Sequence, residues 1–277
     1  MYSSEPIIEL MPFDDNEWKF NTPRLNLEAY DRFDDAIELF WAGNLKESER
    51  LFRHLIHEYS EFIDAYHHLA IILEETGRKQ EAFHIWQKAV QITIDCFISE
   101  FCDDGKQLPW SLIDNRPFLR AYHGLGLMHL KRRDFQKALS IFSNILRMNP
   151  NDNQGVRALA IDCYFNLNSP QKVLDVCHDF PEDTDESLMY GKVLALFQID
   201  KEGEAGEALR DAVNTLPLIA KEIIKRNHIK PKIFRNDYIT IGGQDQAYYY
   251  WVSHGKYWRN TPGAIDFVKE WLDKHRK

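Results

Sequence analysis

Histidine is the residue type whose number and spacing first suggest chemistry in this chain. Seven histidines lie between residues 54 and 129: His54, His57, His67, His68, His84, His123 and His129. A structural or catalytic zinc ion needs three or four converging ligands. The spacing predicts no such set, and Cys96 and Cys102 have a separation typical of helix packing. We interpret the histidines as surface and groove residues, and we predict neither a metal nor a cofactor.

Catalytic motifs are missing from the sequence. It contains no GxGxxG, P-loop, GxSxG or HExxH pattern. Gly124 and Gly126 are followed by Leu-Met-His in a helical pattern, which favours close packing over phosphate binding. The acidic residues follow helix-surface spacing and do not pair as general acid and base would. We therefore predict that the protein is not an enzyme.

Composition indicates a folded helical protein of the cytoplasm. Hydrophobic residues make up 44% and charged residues 28% of 277 residues, and Gly (13) and Pro (11) are too few to favour a barrel or sandwich. The first residues show no signal-peptide pattern, and no apolar run reaches about 18 residues. The four cysteines form no CxxC pair, so we expect free thiols in a reducing compartment.

Charge is unevenly distributed along the chain. Residues 1–62 hold 14 acids and 6 bases, a balance of −8, whereas residues 221–277 hold 12 bases and 6 acids, a balance of +6. Two interpretations stay open. The molecule is electrically polar along its length, or the acidic end serves solubility and the basic end is merely solvated.

Self-similarity at a fixed period predicts the fold. Residues 63–94 and 119–150 each contain two helical patterns joined by a turn, and weaker copies begin near 29, 153 and 186. In the clearest copy the repeated spacing falls on Tyr66, Leu69, Ala70, Leu73, Gly77, Ala82, Trp86 and Ala89. In the next it falls on Tyr122, Leu125, Gly126, Ala138, Phe142 and Pro150.

These positions resemble the tetratricopeptide repeat (TPR) over about residues 29–217. The resemblance implies an all-α, TPR-type α-solenoid of about five helical hairpins, numbered one to five here, with a non-repeat C-terminal helical cap. Within hairpin three, Gly126 and Ala138 should face each other. The segments DNRPFLRAYHGLG, NPNDNQGVR and TPGAIDFVKEWL also resemble a set of bacterial TPR-like proteins of unassigned role.

Three regions follow from this pattern. Residues 1–28 form an acidic, partly irregular segment. Residues 29–217 hold the repeats, with an insertion near 97–118, and 218–277 form a basic and aromatic cap. The apolar rhythm predicts a second helix of hairpin two that extends to about Phe101. Asp114 or Asn115 is expected to cap the following helix, Thr261 to cap the last one, and Trp110 to pin the inserted loop rather than fill the groove.

The TPR resemblance implies a partner-binding groove lined by the first helix of each hairpin. Its residues are Phe33, Ile37, His67, Ile71, Arg120, His123, Leu127, Arg157, Ile161 and Tyr190. The mixture of apolar, His and Arg side chains suits a peptide with acidic and apolar residues. An alternative is that the N-terminal segment or the cap covers part of this face. The carboxylate clamp of chaperone-binding TPR proteins is not matched, since Phe33 and Ile37 stand where it has Lys and Asn.

The sequence thus predicts a protein–protein interaction scaffold or adaptor. The alternative is a nucleic-acid-binding protein. It would contact phosphates with the basic side chains of residues 225–235 and stack nucleobases on Tyr248, Tyr249, Tyr250 and Trp251. The overall acidity, with net charge −9, argues against it. The sequence leaves the oligomeric state and the partner's identity open.

Overall fold

The structure is a computed structural model that describes residues 7–102, 105–232 and 238–275. The chain forms two compact bodies, Met1–Val156 and Arg157–Lys277. We call them the N-terminal body and the C-terminal body.

The N-terminal body holds three helical hairpins within its described residues. They are α1 (Leu27–Trp41) with α2 (Leu45–Glu58), α3 (Ile63–Glu75) with α4 (Lys79–Ile94), and α6 (Arg116–Lys131) with α7 (Phe135–Met148). Alanines at the predicted small positions, among them Ala36, Ala70 and Ala138, are fully buried, which lets paired helices approach closely.

The C-terminal body continues the pattern in its described residues. Helices α8 (Val156–Asn166) and α9 (Pro170–Asp179) share a buried cluster through Ile161 and Val173, and α10 (Glu186–Gln198) pairs with α11 (Glu202–Thr215). Three further helices follow: α12 (Pro217–Ile223), α13 (Gln244–Asn260) and α14 (Ala264–Lys274). They share one core with hairpin five. The predicted all-α, TPR-type fold is confirmed.

The turn inside each hairpin needs a left-handed backbone. Gly43 and Gly77 supply it in hairpins one and two, with φ of 77° and 82°, as the sequence predicts. The later hairpins place a residue with a side chain there: Arg133, Asn168 and Asp200, with φ between 53° and 61°.

The N-terminal segment forms a β-hairpin. Strands β1 (Glu9–Pro12) and β2 (Trp18–Asn21) pair antiparallel, with Glu9 opposite Asn21. The backbone N–H of Trp18 donates to the carbonyl of Gln107 at 2.9 Å, so the hairpin docks on the inserted loop. These two strands are the only ones among the described residues.

Helix α4 is shorter than predicted. It ends at Ile94, and a separate short helix α5 spans Ser99–Cys102. The reason is aromatic packing: the Phe97 ring lies 4.7 Å from Phe101 and 5.6 Å from Phe118. Phe97 and Phe101, which were predicted to extend α4, instead pack against Phe20 and Trp18 of β2.

Two capping predictions need correction. The N-cap of α14 is Gly263 in a left-handed conformation (φ 81°), whereas Thr261 lies in the preceding turn, where its hydroxyl donates to the Tyr257 carbonyl. Asn115 is the N-cap residue of α6, but its side chain makes no capping bond. It accepts from Phe20 N–H at 3.2 Å and donates to the carbonyls of Trp18 and Pro109. Asn115 therefore joins the β-hairpin to the inserted loop.

Candidate functional site

The first helices of hairpins two and three line one pocket in the N-terminal body. It has a volume of about 210 Å³, and we call it the groove pocket. On α3 the lining residues His67, Ile71 and Glu74 are four and three residues apart, so they share one helix face. The same holds on α6, where the spacing is three and four residues. Its walls are His67, Ile71, Glu74, Trp86, Arg120, His123, Gly124, Leu127 and Gln154. Five residues of the predicted groove are thus brought together.

Trp86 forms the floor of this pocket. It belongs to α4 and is 3% exposed, and it reaches the first-helix side because α6 has Gly124 opposite it. A Cβ built at Gly124 would stand 2.5 Å from Trp86 Nε1. We missed both residues as site positions. The sequence signals were Trp86, which stands where the TPR pattern has Phe, and Gly124, a second glycine two residues before the Gly126 of the pattern.

The two pocket histidines are held neutral. Trp86 Nε1–H donates to His67 Nδ1 at 3.2 Å, which places the His67 proton on Nε2 in the neutral ring. Burial holds the pKa of His67 well below its usual value, and nearby His68, Arg120 and His123 lower it further. Burial also lowers the pKa of His123, against a raising effect of Asp152. The pocket therefore presents neutral imidazoles at pH 7.

The charged side chains of the pocket are paired across helices. Arg120 Nη1 donates to both oxygens of Asp64, at 2.6 and 2.9 Å, and its guanidinium lies over the Trp110 ring, 5.7 Å from the centroid. Glu74 pairs with Lys131 at 2.5 Å. Trp110 also accepts from Arg116 through its carbonyl, at 2.9 Å. These contacts support the prediction that Trp110 pins the loop.

Two polar atoms on pocket-lining residues lack a hydrogen bond. His123 Nε2 and Gln154 Oε1 are buried and have no partner among the described residues. A buried polar group left unsatisfied costs about 1–3 kcal/mol. A water or a ligand amide that bonded to these atoms would recover that energy.

The other predicted groove residues of the N-terminal body lie outside the groove pocket. Phe33 is half-buried, with its ring stacked on Phe62 at 5.0 Å, and it lines a second cavity together with Arg120. Ile37 is also half-buried.

The predicted groove residues of the C-terminal body do not form a binding surface. Ile161 and Tyr190 are fully buried, and assigning them to partner contact was wrong. Ile161 packs in the core beside Val173, and the Tyr190 hydroxyl donates to the Leu216 carbonyl at 2.7 Å. Arg157 is half-buried and forms an ion pair with Asp183.

Helix α13 covers part of this face, whereas Ile161 is buried by residues of α9 and α10. Its Tyr250 ring lies 5.6 Å from Tyr190, and its Tyr257 ring stacks on Phe165 of α8 at 4.9 Å. The Tyr257 hydroxyl also donates to Asp162 Oδ1 at 2.7 Å. The alternative that the C-terminal cap covers part of the first-helix face thus holds within the C-terminal body.

The same helix limits the nucleic-acid hypothesis. Tyr250 is 2% and Trp251 5% exposed, so neither ring is available to stack on a base, contrary to our prediction. Tyr249 is 47% exposed, and Tyr248 is half-buried.

The described residues contain no group of three or more His, Cys, Asp or Glu side chains placed to hold a metal ion. All four cysteines are free thiols, and Cys163 and Cys177 are buried. No described helix has the length and apolar composition needed to cross a bilayer.

Solved structures similar to this chain are TPR proteins of low sequence identity. The MamA RS-1 ArsTM double mutant is 14% identical, with a TM-score of 0.50, over 68% of this chain and 94% of that one. YrrB, described as a TPR protein with an unusual peptide-binding site, is 16% identical, with a TM-score of 0.49, over 68% and 87%. A tetratricopeptide repeat protein from Parabacteroides merdae is 15% identical, with a TM-score of 0.44, over 91% and 85%.

No curated protein matches the sequence significantly. A family model does match it, over residues 36–254, which is well over half of the chain, and its description is transcriptional repressor TCF25. The TPR resemblance was predicted from the sequence, and this family was not. The match begins within α1 and covers the rest of the repeats and most of α13, and the chain belongs to the TCF25 family.

Proposed function

We propose that this protein is an interaction scaffold that binds a segment of a partner protein in the groove pocket. The observation that carries the proposal is the convergence of first-helix residues from two hairpins on one concavity that also contains unsatisfied polar atoms. Concave sites with apolar walls and a few placed polar groups are the usual form of binding sites.

The chemistry of the walls suggests what the partner segment contributes. Ile71 and Leu127 flank the pocket and are half-buried, so an apolar partner side chain would gain by covering them. His123 Nε2 and Gln154 Oε1 would bond to an amide of the partner. We keep an acidic group in the proposed segment, but Arg120 and Arg157 already hold Asp64 and Asp183. The apolar and amide contacts therefore carry more of the specificity than the sequence suggested.

Substitution of the apolar flanks tests the proposal. Peptides that bind the full chain are first selected from a displayed library, and their affinities are measured by titration calorimetry. Ile71→Asp with Leu127→Asp should weaken binding by about tenfold or more, because each charge replaces a side chain worth about 1–2 kcal/mol in the contact. Circular dichroism checks that the helices persist.

A matched control separates the groove from general surface effects. Ile229→Asp with Val252→Asp changes two residues that are 79% and 63% exposed outside the groove, and it should leave the affinity unchanged. Equal loss in both double variants, or no loss in the folded groove variant, would contradict the proposal.

A second candidate function is nucleic-acid binding by the basic side chains of residues 225–232. Lys225, Arg226, Lys230 and Lys232 are exposed, and the family description names a transcriptional repressor without saying whether nucleic acid is contacted directly. Lys230→Glu with Lys232→Glu should abolish a gel shift on generic RNA or DNA, and the shift should weaken steeply with salt. Absence of any shift at low salt would exclude this candidate.

A further inference from the structure

A second cavity in the N-terminal body is walled by aromatic rings. Its volume is about 150 Å³, and it lies between the β-hairpin segment and the first turns of α1, α3 and α6. We call it the aromatic pocket. Among the residues that the structure describes, only Arg120 lines both this pocket and the groove pocket. Its aromatic walls are Phe20, Tyr30, Phe33, Phe62 and Phe118.

The rings are held in fixed mutual positions. On the side of α1, Phe62 lies 5.0 Å from the stacked Phe33 ring and 5.4 Å from the edge-on Tyr30 ring. On the side of the β-hairpin, Phe20 meets Phe118 edge to face at 5.5 Å. Phe62, Phe20 and Phe118 are each less than 5% exposed. The walls are therefore preorganised and would lose little entropy on binding.

The pocket also has an excess of negative charge. The wall contains three acidic residues, Glu61, Asp64 and Asp114. The basic residue among the described lining residues is Arg120, which forms an ion pair with Asp64. Glu61 is completely buried, and its Oε1 accepts no hydrogen bond from the described residues. Its ion-pair partner is Arg24, whose Nε lies 3.3 Å away on a side chain that is 44% exposed. The Ser60 hydroxyl donates to Glu61 Oε2 at 3.5 Å. A buried carboxylate with these two long contacts favours a further positive charge nearby.

The size and the mouth of the cavity define what fits. An engineered apolar cavity of about 150 Å³ holds a benzene molecule. The rim contains Tyr30, 44% exposed, and Ile113, 70% exposed, together with the exposed carboxylate of Asp114. A ligand can therefore enter past a carboxylate and come to rest among the rings.

We infer that the aromatic pocket binds a compact apolar cation, such as a trimethylammonium group. Ring faces attract such a cation through their quadrupoles, and the carboxylates add charge attraction. The cation belongs to a free small molecule or to a methylated lysine side chain of a protein segment. The chemistry is the same in both cases, and the inference does not depend on the proposed role of the groove pocket.

Choline and its uncharged isostere 3,3-dimethyl-1-butanol provide the test on the full chain. Titration calorimetry should show choline binding about tenfold more tightly than the alcohol, since a desolvated cation–π contact is worth that much. A short Gly-Ser peptide with one trimethyl-lysine, compared with the same peptide unmodified, distinguishes the two sources. Preference for the methylated peptide over choline assigns a protein segment, and equal or weaker binding assigns a free small molecule.

Variants locate the binding. Tyr30→Leu removes one wall at the rim, and Asp114→Asn removes the exposed carboxylate; each should weaken choline binding by about threefold to tenfold. Glu61→Gln should weaken it more, and if this variant unfolds, the two rim variants decide. Tyr249→Leu and Asp34→Asn change exposed residues elsewhere and should have no effect. Equal binding of choline and the alcohol, no binding of choline or either peptide, or full binding in both rim variants would overturn the inference.

Discussion

Hairpins two and three differ from hairpins four and five in what lies on their first helices. In the N-terminal body these helices border a pocket that contains neutral histidines and unsatisfied polar atoms. In the C-terminal body two of the equivalent positions are core: Ile161 packs against α9 and α10, and Tyr190 packs beside the Tyr250 ring of α13. One repeat pattern thus supports two outcomes, and the non-repeat segment contributes to the closed one.

The largest test of this comparison removes the anchor of α13. Trp258 is 1% exposed and donates through Nε1 to the Tyr250 hydroxyl at 2.9 Å. Trp258→Ala should lower the free energy of unfolding of the C-terminal body by about 3–5 kcal/mol. Hydrogen exchange should accelerate in residues 157–275. Trp41→Ala, at a site 79% exposed, is the matched control and should cost nothing measurable. Unchanged exchange around Tyr190 in Trp258→Ala would show that α13 does not hold this face closed.

Substitution of one glycine in the first helix of hairpin three and one in the first helix of hairpin five gives a test with an effect of intermediate size. A Cβ at Gly126 would stand 2.5 Å from Phe142 Cε1, on a ring that is fully buried, so Gly126→Ala should cost about 1–3 kcal/mol. A Cβ at Gly191 would stand 3.4 Å from Ile161 Cγ2, and Gly191→Ala should gain up to about 1 kcal/mol from helix propensity. Urea unfolding followed by circular dichroism measures both. Shifts of the same sign would contradict the difference in packing.

Acid provides the smallest test. Burial lowers the pKa of His67 and His123 in the folded state, so below pH 6.5 the unfolded chain binds protons that the folded chain does not. Above pH 6.5 both states are neutral and stability is unaffected. As pH falls from 6.5 towards the folded pKa values, each histidine should cost up to about 1.4 kcal/mol per pH unit.

The matched variants for the acid test are His67→Gln with His123→Gln, and His178→Gln at an exposed site. Urea midpoints at pH 7 and pH 5 should differ less in the double variant than in the wild type. His178→Gln should retain the full difference. Burial also lowers the pKa of His254, but Asp162, whose Oδ1 lies 3.8 Å away, raises it in part, so His254 should be less acid-sensitive than His67, which has no such carboxylate among the causes of its shift. Equal acid sensitivity of the double variant and the wild type would contradict the burial of His67 and His123.

Periodicity predicted the hairpins because small and aromatic residues at fixed spacing leave few alternatives for helix pairing. It also predicted His67, Ile71, Arg120, His123 and Leu127 as neighbours, since their spacing puts them on the same faces. It failed where long-range contacts decide the local structure. The residues around Phe97 do not show that α4 ends before it, because the contact that holds the Phe97 ring is with Phe118, which is distant in the sequence.

The partner of Gly126 shows a related limit. We expected Ala138 to face it, yet the atoms nearest to a Cβ at Gly126 belong to Phe142 and Ile141. Ala138, Ile141 and Phe142 share one face of α7, so the helix pairing was predicted, but the side chains closest to Gly126 were not. Side-chain size decides which atoms come closest, and a repeat pattern specifies only which residues are small.

Trp86 and Gly124 restrict how hairpins two and three can be exchanged. TPR hairpins are modular in principle, because each contacts its neighbours through similar surfaces. Here the indole of one hairpin occupies the space that any larger residue at position 124 would need. A shuffled or duplicated copy would have to carry both members of this pair, so hairpins two and three should be inherited and transplanted as a single block.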